Sequence, residues 1–395
     1  MAVRPLALPL YAGELFAFFA AAAAPSPLLV LFQGRWGFDA AMLTVVFAIY
    51  AVTLLLALLI AGAISDHVGR KPAIITALAA QAAAMMLFLV ADGVASLLVA
   101  RAVQGLATGI AAGALAAAIL EAAPAGRRTG SLVNGFAPLA GLAAGGLASG
   151  WAIRELDNPE QVTFGGSAAF FVIAALLTTL LPETSARRPG AWKSLVPRVF
   201  VPAAARSTFV AAIPATFAVW ALGGLYLSLV PPAMHEVFHI DSPMAGGVAI
   251  ALLNGTGALA PLFLQRLSAS VVTELGAASL SVGAALILSA TAFASPALFF
   301  SGTFLAGAGF GSAFAGTLQQ LGPLADPAQR AELFAAIYVV SYLAFSLPAV
   351  GAGIASRSLG LTASLEGYSA LLVTAALLGV IATRTRRTAP IQVAG

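Results

Sequence analysis

Long uncharged, apolar segments alternate with short polar segments along the whole chain. The stretch from Ala40 to Ser65 carries no charged residue, and neither does the stretch from Pro72 to Ala91. Each is long enough to cross the hydrocarbon core of a bilayer as a helix, which takes about 20 residues. The pattern predicts an all-α membrane protein with twelve transmembrane helices, called spans 1 to 12 below, at residues 9–32, 41–63, 73–92, 96–121, 130–151, 165–182, 208–232, 244–265, 273–293, 297–321, 332–356 and 366–383.

The composition agrees with this pattern. Hydrophobic residues make up 61% of the chain and charged residues 9%, whereas a soluble domain carries about 25% charged residues. The basic residues stand at the ends of apolar segments and form no basic face with aromatic residues, so we expect no nucleic-acid partner despite the high pI. The chain has no cysteine and three histidines, so we expect no structural zinc site. With no nucleotide-binding loop and no Ser/His/Asp arrangement, we expect no cofactor and no enzyme activity.

The apolar segment at the N-terminus is interpreted as a retained first helix rather than a cleaved signal peptide. It follows Arg4, as in a signal peptide, but it contains Glu14 and continues to about Phe32. This is longer than the hydrophobic region of a signal peptide.

The distribution of Lys and Arg predicts the orientation. With twelve spans, 15 of the 19 basic residues fall on the side of the termini, while Arg35, Arg154 and Arg357 fall on the other side and Arg101 lies inside a span. Because basic residues are enriched in cytoplasmic loops, we expect a multi-pass protein of the inner (cytoplasmic) membrane with both termini in the cytoplasm.

A long polar segment divides the chain into two parts. Residues 183–207 carry several prolines and five basic residues, and they separate six predicted spans at 1–182 from six at 208–395. Weak internal similarity supports a duplication, because Gly105 and Gly109 in span 4 align with Gly307 and Gly311 in span 10. The sequence therefore predicts two six-helix halves joined by a cytoplasmic linker.

A charged turn between spans 2 and 3 carries the most specific pattern of the chain, Gly62-x-x-x-Asp66-x-x-Gly69-Arg70-Lys71. The glycines allow a tight turn and close backbone approach. This pattern resembles the signature loop between helices 2 and 3 of the major facilitator superfamily. The resemblance implies the fold of that family, with twelve transmembrane helices in two halves, and the transport of a small solute.

The resemblance also implies a role for this turn as a cytoplasmic gate. In the family the loop, together with an acid at the end of span 4, holds the cytoplasmic ends of the two halves together when the transporter faces outward. Asp66, Gly69, Arg70 and Glu121 match that pattern. The alternative is a basic anchor that holds one hairpin in place. The corresponding loop of the second half, near Arg266, keeps a single basic residue, so we expect a one-sided gate.

Span 4 contains the second candidate group. Arg101, Gly105 and Gly109 are spaced four residues apart and share one helix face, and Gln104 lies beside them. Arg101-x-x-Gln104-Gly105 resembles another signature of the family, which implies a place beside a proton and substrate pathway. The alternative is an arginine whose side chain extends to the lipid headgroups.

Span 1 contains Glu14, and an acid inside a membrane helix is a functional candidate by default. Burial favours the neutral form of a carboxyl group, so Glu14 can take up and release a proton. An ordinary interfacial glutamate is the alternative, because Glu14 lies near one end of the span. Pro25 and Pro27 follow in the same span and should kink it.

Span 5 resembles the antiporter motif of the family only in part. Pro138 and Gly141 are retained and two glycines of the motif are lost, while Asn134, Gly141 and Gly145 are suited to close helix packing. The direction of transport is therefore open at this point.

Aromatic residues in spans 1, 7 and 11 are candidates for the wall of a substrate cavity. They are Phe16, Phe18, Phe19, Phe217, Trp220, Tyr226, Tyr338, Tyr342 and Phe345. A cavity with many aromatic residues and few charges suits an amphipathic or apolar solute. The alternative for each residue is a place in the core or against lipid.

These observations lead to three hypotheses for the function. The first is a secondary active transporter that exports a small drug-like or metabolite solute by alternating access, coupled to protons. The second is a proton-coupled importer of a small nutrient on the same fold. The third is a membrane receptor or scaffold without transport, which would need neither Arg101 nor the Asp66 turn. The expected partners are the solute, protons and the lipid bilayer, and we expect a monomer.

Overall fold

The computed structural model describes residues 4–124, 128–185, 189–326 and 329–388, and the described chain is helical apart from short connections. The α-helices are α1 Arg4–Ala23, α2 Pro25–Trp36, α3 Ala40–Ala61, α4 Ser65–Val68, α5 Arg70–Leu89, α6 Val94–Ala122, α7 Thr129–Glu155, α8 Gly166–Leu180, α9 Ala191–Ser194, α10 Ala203–Ser228, α11 Val230–Glu236, α12 Met244–Leu264, α13 Ala269–Ala292, α14 Pro296–Leu321 and α15 Arg330–Thr388. A π-helical turn at Gln161–Gly165 leads into α8, and a 3₁₀ turn at Gly322–Leu324 follows α14.

Eleven helical segments of the described chain are long and apolar enough to cross a membrane. Their mean hydropathy lies between 1.4 and 2.8. This confirms the prediction of an all-helical membrane protein.

Span 1 is divided into two helices at the prolines that the sequence predicts to kink it. The helix is interrupted at Ala24, and Pro25 begins α2. A proline at this position costs no hydrogen bond, because the first N–H groups of a helix have no partner within it.

The structure has a break within the gap predicted between spans 11 and 12, and this break is shorter than expected. The sequence predicts a gap of several residues after Ser356, and two helices within Arg330–Thr388 meet at a kink with one non-helical residue, Gly360. Its φ of 80° lies where only glycine is unstrained. At 1.5 Å per residue, the 59 residues of α15 are far longer than one crossing of a bilayer. Gly360 is the point where the direction of the chain changes.

The boundary at the end of span 7 also differs from the prediction. Span 7 ends at Ser228 rather than 232, because Pro231 and Pro232 stand in the first turn of the separate helix α11. The loop predicted to contain His235 and Glu236 is therefore helical up to Glu236.

We call α1 to α8 the first bundle and α10 to α15 the second bundle. In the first bundle, α1 to α8, α3 and α5 pack on α6, α1 packs on α7, and α5 packs on α8. In the second bundle, α10 to α15, α13 packs on α14, α12 on α14, and α10 and α13 on α15. The largest contacts between the bundles are those of α7 with α12 and of α3 with α15.

The two ends of the molecule carry different polar groups. At one end, the Asp66 end, the turn between α3 and α5 lies beside the C-terminal ends of α6 and α8. At the opposite end, the Asp39 end, Asp39 precedes α3 and its side chain contacts Arg357 of α15. Asp39 also accepts a hydrogen bond from the backbone N–H of Met42, which caps the first turn of α3.

Candidate functional site

Glycines bring α6 and α3 into backbone contact. A Cβ atom on Gly105 would lie 2.1 Å from Thr53 Oγ1 and 2.4 Å from the carbonyl oxygen of Tyr50. One on Gly109 would lie 2.6 Å from the carbonyl oxygen of Leu54. Only a residue without Cβ fits at these positions, so the small-residue face predicted for span 4 is the face that packs on α3.

Arg101 lies on the same helix and is fully buried. Its Nε donates to the carbonyl oxygen of Val46 on α3, and its Nη1 donates to that of Ala22 on α1, both at 3.3 Å. The guanidinium also lies over the ring of Tyr50, 4.7 Å from the centroid. A desolvated cation–π contact contributes about 2 kcal/mol. Arg101 therefore joins three helices, and the alternative of a side chain reaching the headgroups is wrong.

Gln104 extends this group. Its Oε1 accepts a hydrogen bond of 2.8 Å from Arg101, and its Nε2 donates to the carbonyl oxygen of Ala21 at 2.7 Å. Both side chains are fully buried. Nη2 of Arg101 has no hydrogen-bond partner among the described residues, so one donor of a buried cation is left for a further group.

The second bundle repeats the close glycine contact between two helices, but it has no charged residue at the position that corresponds to Arg101. A Cβ on Gly307 of α14 would lie 2.0 Å from Thr256 Oγ1 and 2.4 Å from the carbonyl oxygen of Leu253. The position that corresponds to Arg101 is Thr303, which is buried and bonded to the hydroxyl of Tyr226 at 2.5 Å.

Glu14 of α1 is fully buried. Its Oε1 lies 2.5 Å from the hydroxyl of Thr178 on α8, and its Oε2 has no partner among the described residues. The hydroxyl of Tyr11, one turn earlier on α1, is also buried without a described partner. Glu14 therefore lies inside the first bundle, away from solvent.

The Asp66 turn brings its charged side chains together. Arg70 pairs with Asp66, donates through Nε to Glu121 Oε1 at 3.2 Å, and donates through Nη1 to Ser65 Oγ at 2.6 Å. The side chain of Arg70 is 12% exposed, against 47% for Asp66 and 34% for Glu121. Arg70 is thus the centre of a partly buried charge network at the end of α3, α5 and α6.

Glu183, which the sequence patterns did not single out, completes this network. Its carboxylate accepts hydrogen bonds from the backbone N–H groups of Arg70 at 2.9 Å and Lys71 at 3.2 Å. These are the first N–H groups of α5, where a negative charge is favoured. Gly69 makes this approach possible, because its φ is +103° and a Cβ there would lie 2.5 Å from Glu183 Oε2. The available signal was an acid directly after Pro182, at the end of the neighbouring span.

Lys71 makes the reciprocal contact. Its Nζ donates to the carbonyl oxygens of Thr179 and Leu181, at the C-terminal end of α8. A cation is favoured at this end of a helix. The start of α5 and the end of α8 therefore cap each other through Glu183 and Lys71.

The segment after α8 continues along the same turn. Thr184 donates to Glu121 Oε2 at 2.6 Å, and His67 Nδ1 lies 3.1 Å from the carbonyl oxygen of Pro189. The beginning of the linker is thereby held against the Asp66 turn. Arg187 and Arg188, which the sequence places in the same linker, lie outside the described residues.

Contacts between the two bundles cluster at the Asp39 end. Arg357 Nε donates to Asp39 Oδ2 at 2.6 Å, and this hydrogen bond holds the pKa of Asp39 below its ordinary value. A Cβ on Gly353 would lie 2.2 Å from Thr44 Oγ1, so α15 and α3 are in close contact. Arg154 of α7 also lies 3.6 Å from the sulfur of Met244.

Glycines of α7 contact α1 within the first bundle and α12 of the second bundle. Gly141 and Gly145 face α1, where a Cβ would lie 2.2 Å from the carbonyl oxygen of Phe16 and 2.0 Å from that of Ala20. Gly150 faces α12, where a Cβ would lie 3.3 Å from the Cα of Gly247. Pro138 stands inside α7, and Asn134 donates to the carbonyl oxygen of Ala116 on α6 at 2.9 Å.

Most of the candidate aromatic residues of the second bundle form one cluster. The ring of Trp220 lies 4.9 Å from that of Tyr342, 5.3 Å from Phe314 and 5.9 Å from Phe345. Tyr338 lies beside Tyr342. The indole N–H of Trp220 has no described hydrogen-bond partner.

The other aromatic candidates have different surroundings. Phe345, a member of the cluster around Trp220, also lies 4.7 Å from the ring of Phe47 in the first bundle. Phe217 is partly buried against a hydrophobic cluster that includes residues of α3, α10 and α15. Tyr226 lies apart, fully buried and stacked on Phe299. In the first bundle, Phe18 is buried against Phe171, while Phe16 and Phe19 are partly buried.

Most of the chain matches the sequence model of one protein family. Residues 11–349 match the model of the Major Facilitator Superfamily. The chain belongs to this superfamily. It is a multi-pass membrane transporter and not an enzyme.

Solved structures of superfamily transporters share the fold. The chain is similar to a bacterial homologue of the human lysosomal transporter Spinster in an inward-facing, unoccupied conformation (TM-score 0.77, 14% identity, 98% of each chain). It is also similar to the xylose transporter XylE from E. coli in an inward-open conformation (0.72, 14%, 94% of each chain). The nucleoside transporter NupG matches with a TM-score of 0.68 and 13% identity over 96% of this chain and 98% of that one. At these identities the likeness shows the fold alone.

Proposed function

We propose that the chain is a proton-coupled exporter of a small drug-like or metabolite solute. The observation that carries the proposal is the pair of buried ionisable side chains in the first bundle, Glu14 and Arg101. Such groups are costly inside a membrane and are kept where ions or substrates move. In this proposal Glu14 carries the proton, and Arg101 is a fixed charge beside the pathway, since an arginine does not lose its proton.

The proposed architecture has twelve spans in two halves, with residues 183–207 as the cytoplasmic linker. Gly360 divides α15 into the eleventh and twelfth spans. The bias of Lys and Arg puts the Asp66 end and both termini in the cytoplasm. A reporter fused after Gly395 is then cytoplasmic, whereas one inserted near Asp157 is external. An external C-terminus would contradict the twelve-span count.

The conformation in this proposal is inward-facing. The clustered contacts between the bundles at the Asp39 end, such as Asp39 with Arg357 and Thr44 with Gly353, support an external side that is closed. The Asp66 network, by contrast, joins helices of the first bundle and the start of the linker. In an outward-facing state this network is proposed to contact the second bundle and to hold the cytoplasmic side closed.

The proposed substrate site is the aromatic cluster around Trp220. It faces the first bundle through the contact of Phe345 with Phe47, and Arg101 lies near the same level because it bonds to Val46. Aromatic rings and one free indole N–H suit a planar, largely apolar solute with a hydrogen-bond acceptor.

The decisive experiment measures substrate-induced pH changes in everted membrane vesicles across a panel of compounds. An exporter coupled to protons releases protons from acidified vesicles when a substrate is added. Glu14→Gln should abolish gradient-driven transport and keep substrate binding or exchange. Continued transport against a gradient by Glu14→Gln would place the proton carrier elsewhere.

Proton-coupled import of a small nutrient is the second candidate. The incomplete antiporter motif around Pro138 favours it, since two glycines of that motif are absent. Right-side-out vesicles with an inward proton gradient distinguish the two candidates. An importer accumulates its substrate under these conditions, whereas an exporter does not.

A further inference from the structure

The hydroxyl of Thr178 has two oxygen neighbours but only one hydrogen. Its Oγ1 lies 2.8 Å from the carbonyl oxygen of Ala174 and 2.5 Å from Glu14 Oε1. A carbonyl oxygen can only accept a hydrogen bond, and an ionised carboxylate can also only accept one. With an ionised Glu14, one of these two short contacts would therefore have no hydrogen in it.

In two similar arrangements in the second bundle, each of the two short contacts of a threonine hydroxyl contains a hydrogen. Thr303 donates to the carbonyl oxygen of Phe299 at 2.7 Å, and the hydroxyl of Tyr226 lies 2.5 Å from Thr303 Oγ1. Because the hydrogen of Thr303 is used, Tyr226 supplies the second one. In the same way Thr273 donates to its own helix, at the carbonyl oxygen of Ala269, while the amide of Gln320 donates to Thr273 at 2.6 Å. In both cases the side chain from the neighbouring helix donates its own hydrogen to the threonine oxygen.

The surroundings of Glu14 also oppose a charge. Oε2 of Glu14 is buried and has no described partner. The charged groups on the helices around α1 have described contacts with partners other than Glu14. Arg35 of α2 contacts Glu160, Arg101 of α6 contacts Val46 and Ala22, and Glu121 of α6 contacts Arg70. Arg154 and Glu155 of α7 contact each other, and Glu183, just after α8, contacts the start of α5. Tyr11, on the same helix, is neutral. A buried carboxylate without a cation or several donors is costly.

We infer that Glu14 is a neutral carboxylic acid in this conformation and that it donates its hydrogen to Thr178, which donates to Ala174. Thr178 is then the positioning residue of the proton site, because its hydrogen is committed to its own helix and its lone pair accepts the acid. An ionised Glu14 would need Thr178 to turn its hydrogen away from Ala174. The role of this hydrogen bond in transport rests on the proposed function: if Glu14 is the proton carrier, this conformation is the one with the proton bound.

Infrared spectroscopy of the full-length protein in lipid vesicles at neutral pH tests the inference without a transport assay. A protonated carboxyl group has its own carbonyl stretching band, separate from that of a carboxylate. We expect this band in the wild type, a shift of the band in D₂O, and its loss in Glu14→Gln. Its absence from the difference between wild type and Glu14→Gln would overturn the inference.

Thr178 variants test the hydrogen bond itself. Thr178→Val removes the acceptor and should shift the band to higher frequency, whereas Thr178→Ser should keep it in place. The matched control is Thr317→Val on α14, because Thr317 is also buried and donates to the carbonyl oxygen four residues earlier. An unchanged band in Thr178→Val would show that Thr178 is not the acceptor.

The outcome is separable from that of the transport experiment. If the band of Glu14 is present and responds to Thr178→Val, the hydrogen-bond assignment is correct even when Glu14→Gln still transports against a gradient. In that case only the role of Glu14 in coupling fails. Melting temperatures of the variants, compared with that of Thr317→Val, identify any variant that is merely misfolded.

Discussion

The pair α3 and α6 in the first bundle and the pair α12 and α14 in the second use the same packing and differ in charge. Gly105 fits against Tyr50 and Thr53 in the first pair, and Gly307 fits against Leu253 and Thr256 in the second. Four residues before the glycine, the first pair has Arg101, and the second has Thr303.

The difference shows which requirements belong to the fold and which to the chemistry. Close helix contact needs a residue without a side chain at the crossing, and both bundles meet that need with glycine at the same place. A buried arginine is not required for such a crossing, and it brings a desolvation cost that its three acceptor contacts and Tyr50 must offset. The first bundle contains a buried arginine at this position, whereas the second bundle has the uncharged Thr303.

The largest expected effect comes from removing what the two pairs share. Gly105→Ala and Gly307→Ala should lower stability by similar amounts, because each new Cβ would lie 2.4 Å from a backbone carbonyl oxygen of the facing helix. Forcing such helices apart typically costs about 1–3 kcal/mol or more. Thermal unfolding in detergent measures the loss.

Gly135 and Gly255 are the matched controls, since each lies in a long helix and a Cβ added there would have no atom of another element within 4 Å. Alanine there should be neutral or stabilise by up to about 1 kcal/mol. Equal losses at Gly105 and Gly135 would show that the crossing is not what makes the glycine necessary.

Arg101 is the residue by which the first helix pair differs from the second. Arg101→Met should abolish most transport, because hydrogen bonds from a charged donor contribute about 1.5–3 kcal/mol each and about 1.4 kcal/mol corresponds to a factor of ten in rate. Arg101→Lys should restore transport only in part, since an ammonium group lacks the planar fork. Initial rates in vesicles measure both.

Thr303→Val is the counterpart in the second bundle. It leaves the hydroxyl of Tyr226 without its partner and should lower the melting temperature with little change in transport. A variant that loses transport as completely as Arg101→Met would show that the second bundle contributes equally to the pathway.

The third prediction compares the loops at the Asp66 end. Asp66→Asn and Arg70→Ala should impair transport while the protein still inserts, because both remove contacts of the central arginine. Arg266→Ala, in the exposed turn between α12 and α13, should have little effect. Labelling of single cysteines near the gate measures the shift towards the inward-facing state, and the chain has no cysteine of its own. Near-normal transport by both Asp66→Asn and Arg70→Ala would contradict the gate.

The smallest expected effect is at the Asp39 end, because exposed ion pairs are screened by water and salt. Arg357 lowers the pKa of Asp39, so the pair stabilises the closed end fully at neutral pH. The contribution is lost as pH falls through this lowered pKa, below the ordinary value of about 4.

Labelling of Thr44→Cys by an impermeant thiol reagent measures the opening of this end, since Thr44 is buried under Gly353. Opening should increase slightly in acid, and Asp39→Asn should show the increase already at neutral pH. A pH response that persists in Asp39→Asn would assign it to another group.

The sequence predicted the helices, the family and the glycine crossing, because each depends on spacing along one chain segment. It did not predict the acceptors of Arg101, since backbone carbonyl groups such as those of Val46 and Ala22 are the same in every residue type. It also missed Glu183, whose partners are N–H groups more than a hundred residues earlier. The break at Gly360 lies within the gap predicted between spans 11 and 12, but its short length was not predicted, because a single glycine can turn the chain where the sequence suggests a longer loop.

The mutual capping of α5 and α8 has a consequence for the order of events during synthesis. Lys71 and the start of α5 leave the ribosome long before Glu183, which is 112 residues further along the chain. Until Glu183 emerges, the first turn of α5 lacks its acceptor, and the end of α8 cannot yet receive Lys71. We therefore expect the first bundle to become resistant to proteolysis in one step, when the beginning of the linker has been translated. A truncated chain that ends at Leu181 and has been released from the ribosome should remain open to digestion at the Asp66 turn, and a released chain that ends a few linker residues later should not.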